Sequence, residues 1–432
     1  MRIGIDGYNL AIPTGTGVAT YGATLASVLA AGGHQVEGVF GLDTGRKPET
    51  REVLFFDRFG HGQPIDERAK RTIAASTIFD HTARTAHEIP LTARIDRRQF
   101  DFRFPSFARL WNAPYLFDVA YARFRYLGLS TTIRVPDPPD VMHWTYPLPI
   151  TMRGTRNVIT IHDLVPLRLP HTTLDDKRYY HRLIRRTLDI ADHVCTVSES
   201  SRNDIRALFD VPEHKISNTW QSSPVPPEIL TGSREDDAAI VRSIFGLEPQ
   251  GYYLYFGAID PKKNIGRIVD GYLSSRTERK LVLVSSRSWG MDGETRMLGE
   301  KGQVYGRTLG ERVLRLEYLP RPTLYRLIRA ARAVLCPSLY EGFGLPALEA
   351  YQIGTPVIGS NTGSHPEVIG EAGLLVDPYR TDAIAAAIRA IDGDDALYER
   401  LRAAGPLQAR AFTDSAYLDR LQTMYRGIGA PA

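Results

Sequence analysis

The amino-acid sequence predicts an α/β protein of two doubly wound domains, and three observations carry that expectation. Through the first half, short apolar or β-branched runs (RIGID, HQVEGVF, DVMHW, NVITIH, HVCTVS) alternate with helical stretches, as in βαβ units around a parallel sheet. A second series of the same kind follows in YYLYFG, KLVLVS, VLRLEYL, AVLCPS, TPVIGS and GLLVD. Between them lies TWQSSPVPPEILTGSREDD, rich in proline, serine and charge, which puts a linker near residues 222 to 235. The length agrees, because one hydrophobic core seldom organises 432 residues. The first domain is expected over 1–222 and the second over 235–411.

The first strand is followed by TGTGV, residues 14–18, where Gly15 and Gly17 let backbone approach a phosphate or sugar closely. The loop lacks the full spacing of a dinucleotide-binding turn. Residues 45–135 break the βα rhythm, with Arg94, Arg97, Arg98, Arg103, Arg109, Arg123 and Arg125 among Phe100, Phe102, Phe104, Trp111, Tyr115 and Phe117. Two readings are open: an elaboration with its aromatics in the core and its arginines solvated, or a docking surface for a membrane or a lipid-linked acceptor. Next, His162 and Asp163 close NVITIH at the carboxyl end of its strand, the edge where doubly wound folds bind ligands.

Cys195 and Cys336 sit in separate apolar runs, which suits neither a disulfide framework nor a metal cluster. The only tight Asp-x-Asp, Asp392 and Asp394, falls in the polar turn DGDDA and reads as a loop or helix cap. At the end of the chain, Tyr417, Leu418, Leu421 and Tyr425 have the spacing of one helical face.

Composition excludes some classes. With 43% hydrophobic and 24% charged residues the chain is of ordinary globular type, not a disordered one. No apolar stretch reaches the roughly 18 residues of a membrane span, and MRIGIDGYNL reads as a strand instead of a signal peptide. A cytoplasmic location is expected. The net charge of +4 suits anionic partners such as nucleotide diphosphates or a membrane surface and selects none of them.

The segment 333–349, AVLCPSLYEGFGLPALE, carries the chemistry. A buried strand ends in a turn containing Glu341, Gly342, Phe343 and Gly344, and Pro346 opens a helix, where its missing N–H costs nothing. The remaining leading amides and the positive end of the helix dipole would stabilise a diphosphate. Glu341 and Glu349 frame the turn and suit acceptors of sugar and ribose hydroxyls better than an acid–base dyad.

The spacing Glu341-x7-Glu349, followed by GTPVIGSNTGSHPEVIGEAGLLVDP, resembles the signature of family 4 of the retaining glycosyltransferases. GAIDPKKNIGRIVDGY is similar to that family's phosphate-clamp segment, VITIHDLVP to its amino-domain histidine motif, and VSESSRNDI to the strand and helix that follow. The resemblance runs from about 141 to 378, with a looser match at GIDGYNLAIPTGTGVATY. It implies the GT-B fold, two Rossmann-like domains facing across a cleft, with the terminal helix over 412–432 crossing back to the first. It implies transfer of a hexose, mannose or a related deoxyhexose, from a nucleotide diphosphate sugar to a glycan or polyprenyl-diphosphate-linked acceptor, at the cytoplasmic face of the inner membrane. No nucleic acid, metal or cofactor enters. GDP-mannose is the donor that the likeness to bacterial mannosyl- and rhamnosyltransferases of polysaccharide assembly suggests.

By the same resemblance Glu341 holds hydroxyls of the transferred sugar, beside backbone N–H groups of Gly342, Phe343 and Gly344. Glu349 binds the ribose, Leu345 offers its N–H to the phosphates with Lys263 and Lys262, and the base lies against Tyr318, Leu319 and Pro320. His162 faces the donor sugar, and His143, Trp144 and Asp163 belong to the acceptor region. One departure is plain: where many members have arginine after the glycine of the clamp strand, this chain has Gly257 and then Ala258, so the clamp rests on the lysines. An epimerase of the same fold and a sugar-nucleotide-binding protein without turnover are the competing readings.

Overall fold

A computed structural model describes residues 1–13, 17–79, 83–92, 94–100, 104–223, 225–285, 312–317 and 319–431. Gly15, Tyr318, Phe102 and Arg103 lie outside the described residues.

The strands of the first half are β1 (Arg2–Asp6), β2 (Gln35–Phe40), β3 (Arg84–Thr85), β4 (His87–Ile89), β5 (Arg109–Asn112), β6 (Thr131–Arg134), β7 (Val141–Trp144), β8 (Ile150–Met152), β9 (Arg156–Ile161), β10 (His193–Thr196) and β11 (Ile216–Asn218). Eight of them form one sheet in the order β11-β10-β9-β7-β1-β2-β5-β4, and β3-β6-β8 form a small second one. Among the described residues of this half, only the edge pair β4–β5 is antiparallel. The second half has β12 (Tyr252–Phe256), β13 (Lys280–Val284), β14 (Val313–Leu316), β15 (Ala333–Cys336), β16 (Val357–Ser360) and β17 (Leu374–Val376). These run parallel in the order β14-β13-β12-β15-β16-β17. Helices cover both faces of the large sheets, which is why central strands such as β7, β9 and β15 are near-continuous apolar runs. Cys195 and Cys336 are buried in β10 and β15 as free thiols.

Within 45–135 most described phenylalanines join the core, whereas Phe79, Tyr121 and Tyr126 are exposed. Phe40, Phe55, Phe56, Phe59, Phe100, Phe104 and Phe107 bury their rings against one another, mostly edge to face. Trp111 is buried too, its indole N–H donating to Glu37 Oε2 at 2.6 Å beneath the Arg109 guanidinium. Arg109 in turn pairs with Glu88 and Asp137. Helix Glu67–Phe79 is tied to helix Leu116–Leu127 by the buried Arg123, which donates to Thr77 O.

The expected linker is shorter in extended chain than its composition suggests. Pro227–Thr231 and Arg234–Phe245 are helical, because prolines preset the first turn and Ser233 caps the second helix by accepting the amide of Asp236. The final helix, Asp414–Gly427, returns to the amino-terminal half. Tyr425 Oη lies 2.6 Å from His143 Nδ1, and Leu418 packs so close to Gly32 that a Cβ there would sit 2.7 Å away. Asp394 caps a helix by accepting the Leu397 amide, while Asp392 pairs with Arg279. Among the described residues no helix is long and apolar enough to cross a membrane.

Candidate functional site

The carboxyl ends of β12 and β15 meet at one place, and each contributes a turn. After β12, Asp260 accepts the Lys262 amide at 2.8 Å and caps the turn Pro261–Lys263. Asn264 takes up the left-handed conformation (φ 64°) that ends it, which asparagine tolerates, and its side-chain amide donates to the carbonyls of Pro337 and Pro378. Leu339 N–H donates to Lys262 O at 2.7 Å. The lysine turn is thereby fastened to the turn after β15.

That second turn holds Glu341. Its Oε1 accepts from Lys263 Nζ at 2.6 Å and from Ser338 Oγ at 2.7 Å. Burial alone would raise the carboxyl's pKa, but Lys263 and Lys262 outweigh burial and hold it at about 2. Lys262 is drawn across the cleft, 3.7 Å from Asp163 of the first half. Burial opposes its charge, yet Asp163, Glu341 and Asp260 together raise its pKa. Two lysines and three carboxylates therefore form a partly buried set, and since each ammonium carries three N–H donors, an anionic group can bind the lysines without breaking either ion pair.

Gly342 is where the halves touch. A Cβ at this position would stand 2.6 Å from the His162 carbonyl oxygen, so no larger residue allows the two strand ends to come this near. Gly344 has φ 102°, again a conformation favouring glycine, and caps helix Leu345–Ile353. Pro346 has no amide and Ala347 N–H already bonds Gly344 O, which leaves Leu345 as the leading amide of the helix. Farther along it, Glu349 is buried, accepts from Ser223 Oγ at 3.4 Å and stands 3.8 Å from Arg321. Burial raises its pKa, and Arg321 offsets only part of this. Arg321 also reaches Thr20 on helix Gly17–Ala31, so the helix begun by Gly17 faces the Glu349 end of the cleft. Leu319 is half-buried against the core.

On the opposite face, His162 donates from Nε2 to Thr145 O at 2.8 Å, with its ring edge-on to Tyr21. Burial lowers its pKa despite that carbonyl, so the ring is neutral near pH 7, with its lone pair on Nδ1. His143 and Trp144, expected in the acceptor region, do not reach the cleft. His143 is fully enclosed between Tyr425 and Thr160, and Trp144 donates its indole N–H to Asn157 inside the sheet. Their strand is central and covered on both sides, so neither parity of side chains faces a ligand.

Four contributors escaped the sequence reading. Ser338 completes the Glu341 pair. Ser364 Oγ donates to the carbonyls of Glu341 and Phe343, and the buried His365, held by Ser360, underlies Gly344. Burial lowers the His365 pKa to about 4, so it is neutral near pH 7. Both follow the carboxyl end of β16, where the strand-end rule would have found them. Arg321 carries no such signal, since its helix reads as ordinary.

Comparison with known proteins agrees with this geometry. The family described as Glycosyl transferases group 1 matches residues 239–408, and Glycosyltransferase Family 4 matches residues 15–217. O-antigen chain mannosyltransferase B of Escherichia coli is 36% identical over 268 residues, 60% of this chain and 68% of that protein. O-antigen chain mannosyltransferase RfbU of Salmonella typhimurium is 26% identical over 274 residues, 63% of this chain and 70% of its own length. Sucrose-phosphate synthase from Thermosynechococcus elongatus superposes with a TM-score of 0.67 over 100% of both chains at 19% identity, a likeness of fold. With a lysine-clamped glutamate turn facing a histidine strand end across two Rossmann-like sheets, the chain belongs to the family 4 glycosyltransferases and has the GT-B fold.

Proposed function

We propose that this glycosyltransferase moves a mannosyl or related deoxyhexosyl unit from a nucleoside diphosphate sugar, GDP-mannose first among them, to a lipid-linked glycan, with retention of anomeric configuration. The observation that carries the reading is the part-buried Glu341–Lys263 pair at the head of helix Leu345–Ile353, opposite His162. The mannosyltransferase names of two relatives support the choice of sugar.

In the proposed front-face reaction the bond from the anomeric carbon to the β-phosphate oxygen breaks while a bond to the acceptor oxygen forms on the same face. The acceptor hydroxyl proton passes to the departing phosphate oxygen. Lys263, Lys262 and the leading amide of Leu345 stabilise the negative charge gathering there, and cost no reorganisation because they are already fixed. Glu341 orients the sugar through its hydroxyls, Glu349 the ribose, and neutral His162 offers Nδ1 as an acceptor.

A lipid-linked acceptor needs a membrane, and one face supports that part of the reading. Tyr121, Tyr126, Leu127 and Leu129 are exposed along and just past the second half of helix Leu116–Leu127. Beside them lies the basic helix Lys177–Ile190, joined by the Tyr121–Tyr179 ring contact at 5.3 Å and displaying Arg178, Arg182 and Arg185. Exposed aromatics rimmed by arginine suit an anionic lipid surface. Tyr180 of the same helix donates to Asp163 O at 3.0 Å, so this face leads to the cleft.

The test supplies labelled GDP-mannose, UDP-glucose and other nucleotide sugars with a polyprenyl-diphosphate glycan, and determines the product's anomeric configuration by NMR. Transfer from GDP-mannose with retention is expected. Hydrolysis or epimerisation of the donor without a glycosylated lipid, or an inverted product, would sink the proposal.

A further inference from the structure

Glu367 belongs to the short helix His365–Ile369 of the second half, yet its carboxylate binds the first. Oε2 accepts the Glu199 N–H at 2.8 Å and Oε1 the Ser200 N–H at 2.7 Å. Those amides open helix Glu199–Leu208, where they have no partner within the helix and where its dipole favours an anion. Ser198 Oγ accepts the next amide, that of Ser201. Glu367 Oε2 also accepts the indole N–H of Trp220 at 3.0 Å. Trp220 lies in the chain passing between the halves, holds the left-handed conformation (φ 51°) and packs under the Arg420 guanidinium.

The residues just before Glu367 serve the donor turn. Ser364 Oγ holds the carbonyls of Glu341 and Phe343, at 3.0 and 2.6 Å, and His365 lies against Gly344. On the far side, Ser201 Oγ donates to His162 O at 2.7 Å. That carbonyl is the atom facing Gly342. A closed circuit results, from the Glu341 turn through Ser364 and Glu367 to the Glu199 helix, then through Ser201 to His162 and back to Gly342.

We propose that Glu367 is a positioning residue for transfer: by clamping the first turn of the Glu199 helix it fixes how near His162 stands to the donor turn. It touches no reacting atom. The inference uses the proposed transfer reaction only as a readout.

The experiment compares wild type with Glu367→Gln and Glu367→Asp in the full chain. Glutamine keeps the volume, loses the charge and turns an amide N–H₂ towards backbone donors. Nucleotide affinity, measured with GDP and UDP by calorimetry, should stay within about twofold, because no nucleotide-binding group moves within its own half. Turnover should fall by about tenfold or more, as for a misplacement of up to an ångström, and Glu367→Asp should recover part of it. Under saturating nucleotide, small-angle X-ray scattering should find Glu367→Gln more expanded than wild type. A folded Glu367→Gln protein with turnover within twofold of wild type overturns the proposal, and so does a parallel loss of turnover and nucleotide affinity. If Glu367→Gln does not fold, Ser201→Ala breaks the same circuit at its other end and must lower turnover with nucleotide affinity kept. If wild type transfers sugar from no donor, the transfer reading fails separately, and scattering still decides: a variant as compact as wild type overturns the positioning role.

Discussion

The two faces of the cleft treat their polar groups in opposite ways. On the second half, buried charge is retained and paired: Glu341 with Lys263, and Lys262 with Asp163 reaching over from the other side. On the first half, the two histidines nearest the cleft are neutral: His162 is turned to a carbonyl and His143 is sealed beneath the terminal helix, its pKa pushed down to about 3 by burial. Fixed charge suits a ligand that is always anionic, such as a diphosphate, whereas neutral donors and acceptors suit sugar hydroxyls. In the proposed reaction the charged face would hold the donor and the neutral one the acceptor.

The largest effect that tests this contrast falls on the charged face. Glu341→Ala should lower turnover by roughly 10- to 150-fold, the equivalent of one charge-assisted hydrogen bond of about 1.5 to 3 kcal/mol. Glu349→Ala should act on nucleotide affinity instead, by a factor of about ten or more. Equal effects of the two variants on both quantities would erase the division of labour between sugar and ribose. Acid adds a check that is independent of activity. Because the folded pKa of Glu341, about 2, lies below the ordinary value of 4.5, its stabilising contribution is complete above 4.5 and is lost as pH falls from there towards 2. Urea unfolding at pH about 6 and about 3.5 should show Glu341→Gln losing less stability than wild type between the two.

The same contrast explains what was legible in the sequence. The proposed donor face is written in two contiguous stretches, PKKN and SLYEGFGLPALE, whose glycines, asparagine and proline impose the turns and which carry the family resemblance by which its residues were named. The acceptor face depends on which way strand residues point and on what covers them. Nothing in DVMHW reveals that helix Asp414–Gly427 returns from the far end of the chain to close over His143. The phenylalanine-rich stretch 45–135 was ambiguous for a similar reason: alternation does not distinguish a ring packed on Phe40 from one facing solvent.

A middle-sized effect sharpens the acceptor side. His143→Phe removes a hydrogen bond to Tyr425 and one to Thr160, and leaves both hydroxyls buried. Stability should fall by about 1 to 3 kcal/mol, read as a lower urea midpoint, with the acceptor KM unchanged below the unfolding transition. A raised acceptor KM in a fully folded variant would return His143 to the acceptor site.

The smallest expected effect is that of chelation, and it bears on the charged face as a whole. A divalent ion bridging a diphosphate needs carboxylates free to coordinate it. The acidic groups around the clamp are committed elsewhere: Glu341 to Lys263 and Ser338, Asp163 to Lys262, and Asp260 to the Lys262 amide. Recruiting any of them for a metal would strip a part-buried lysine or a capped turn of its partner, which is unfavourable. The two lysines and the head of helix Leu345–Ile353 already supply positive potential where the leaving phosphate would gather charge. Turnover is therefore expected to be the same in excess EDTA as without it. Loss of activity on chelation, restored by manganese or magnesium, would mean that these ion pairs open on donor binding and that the lysines do not act alone.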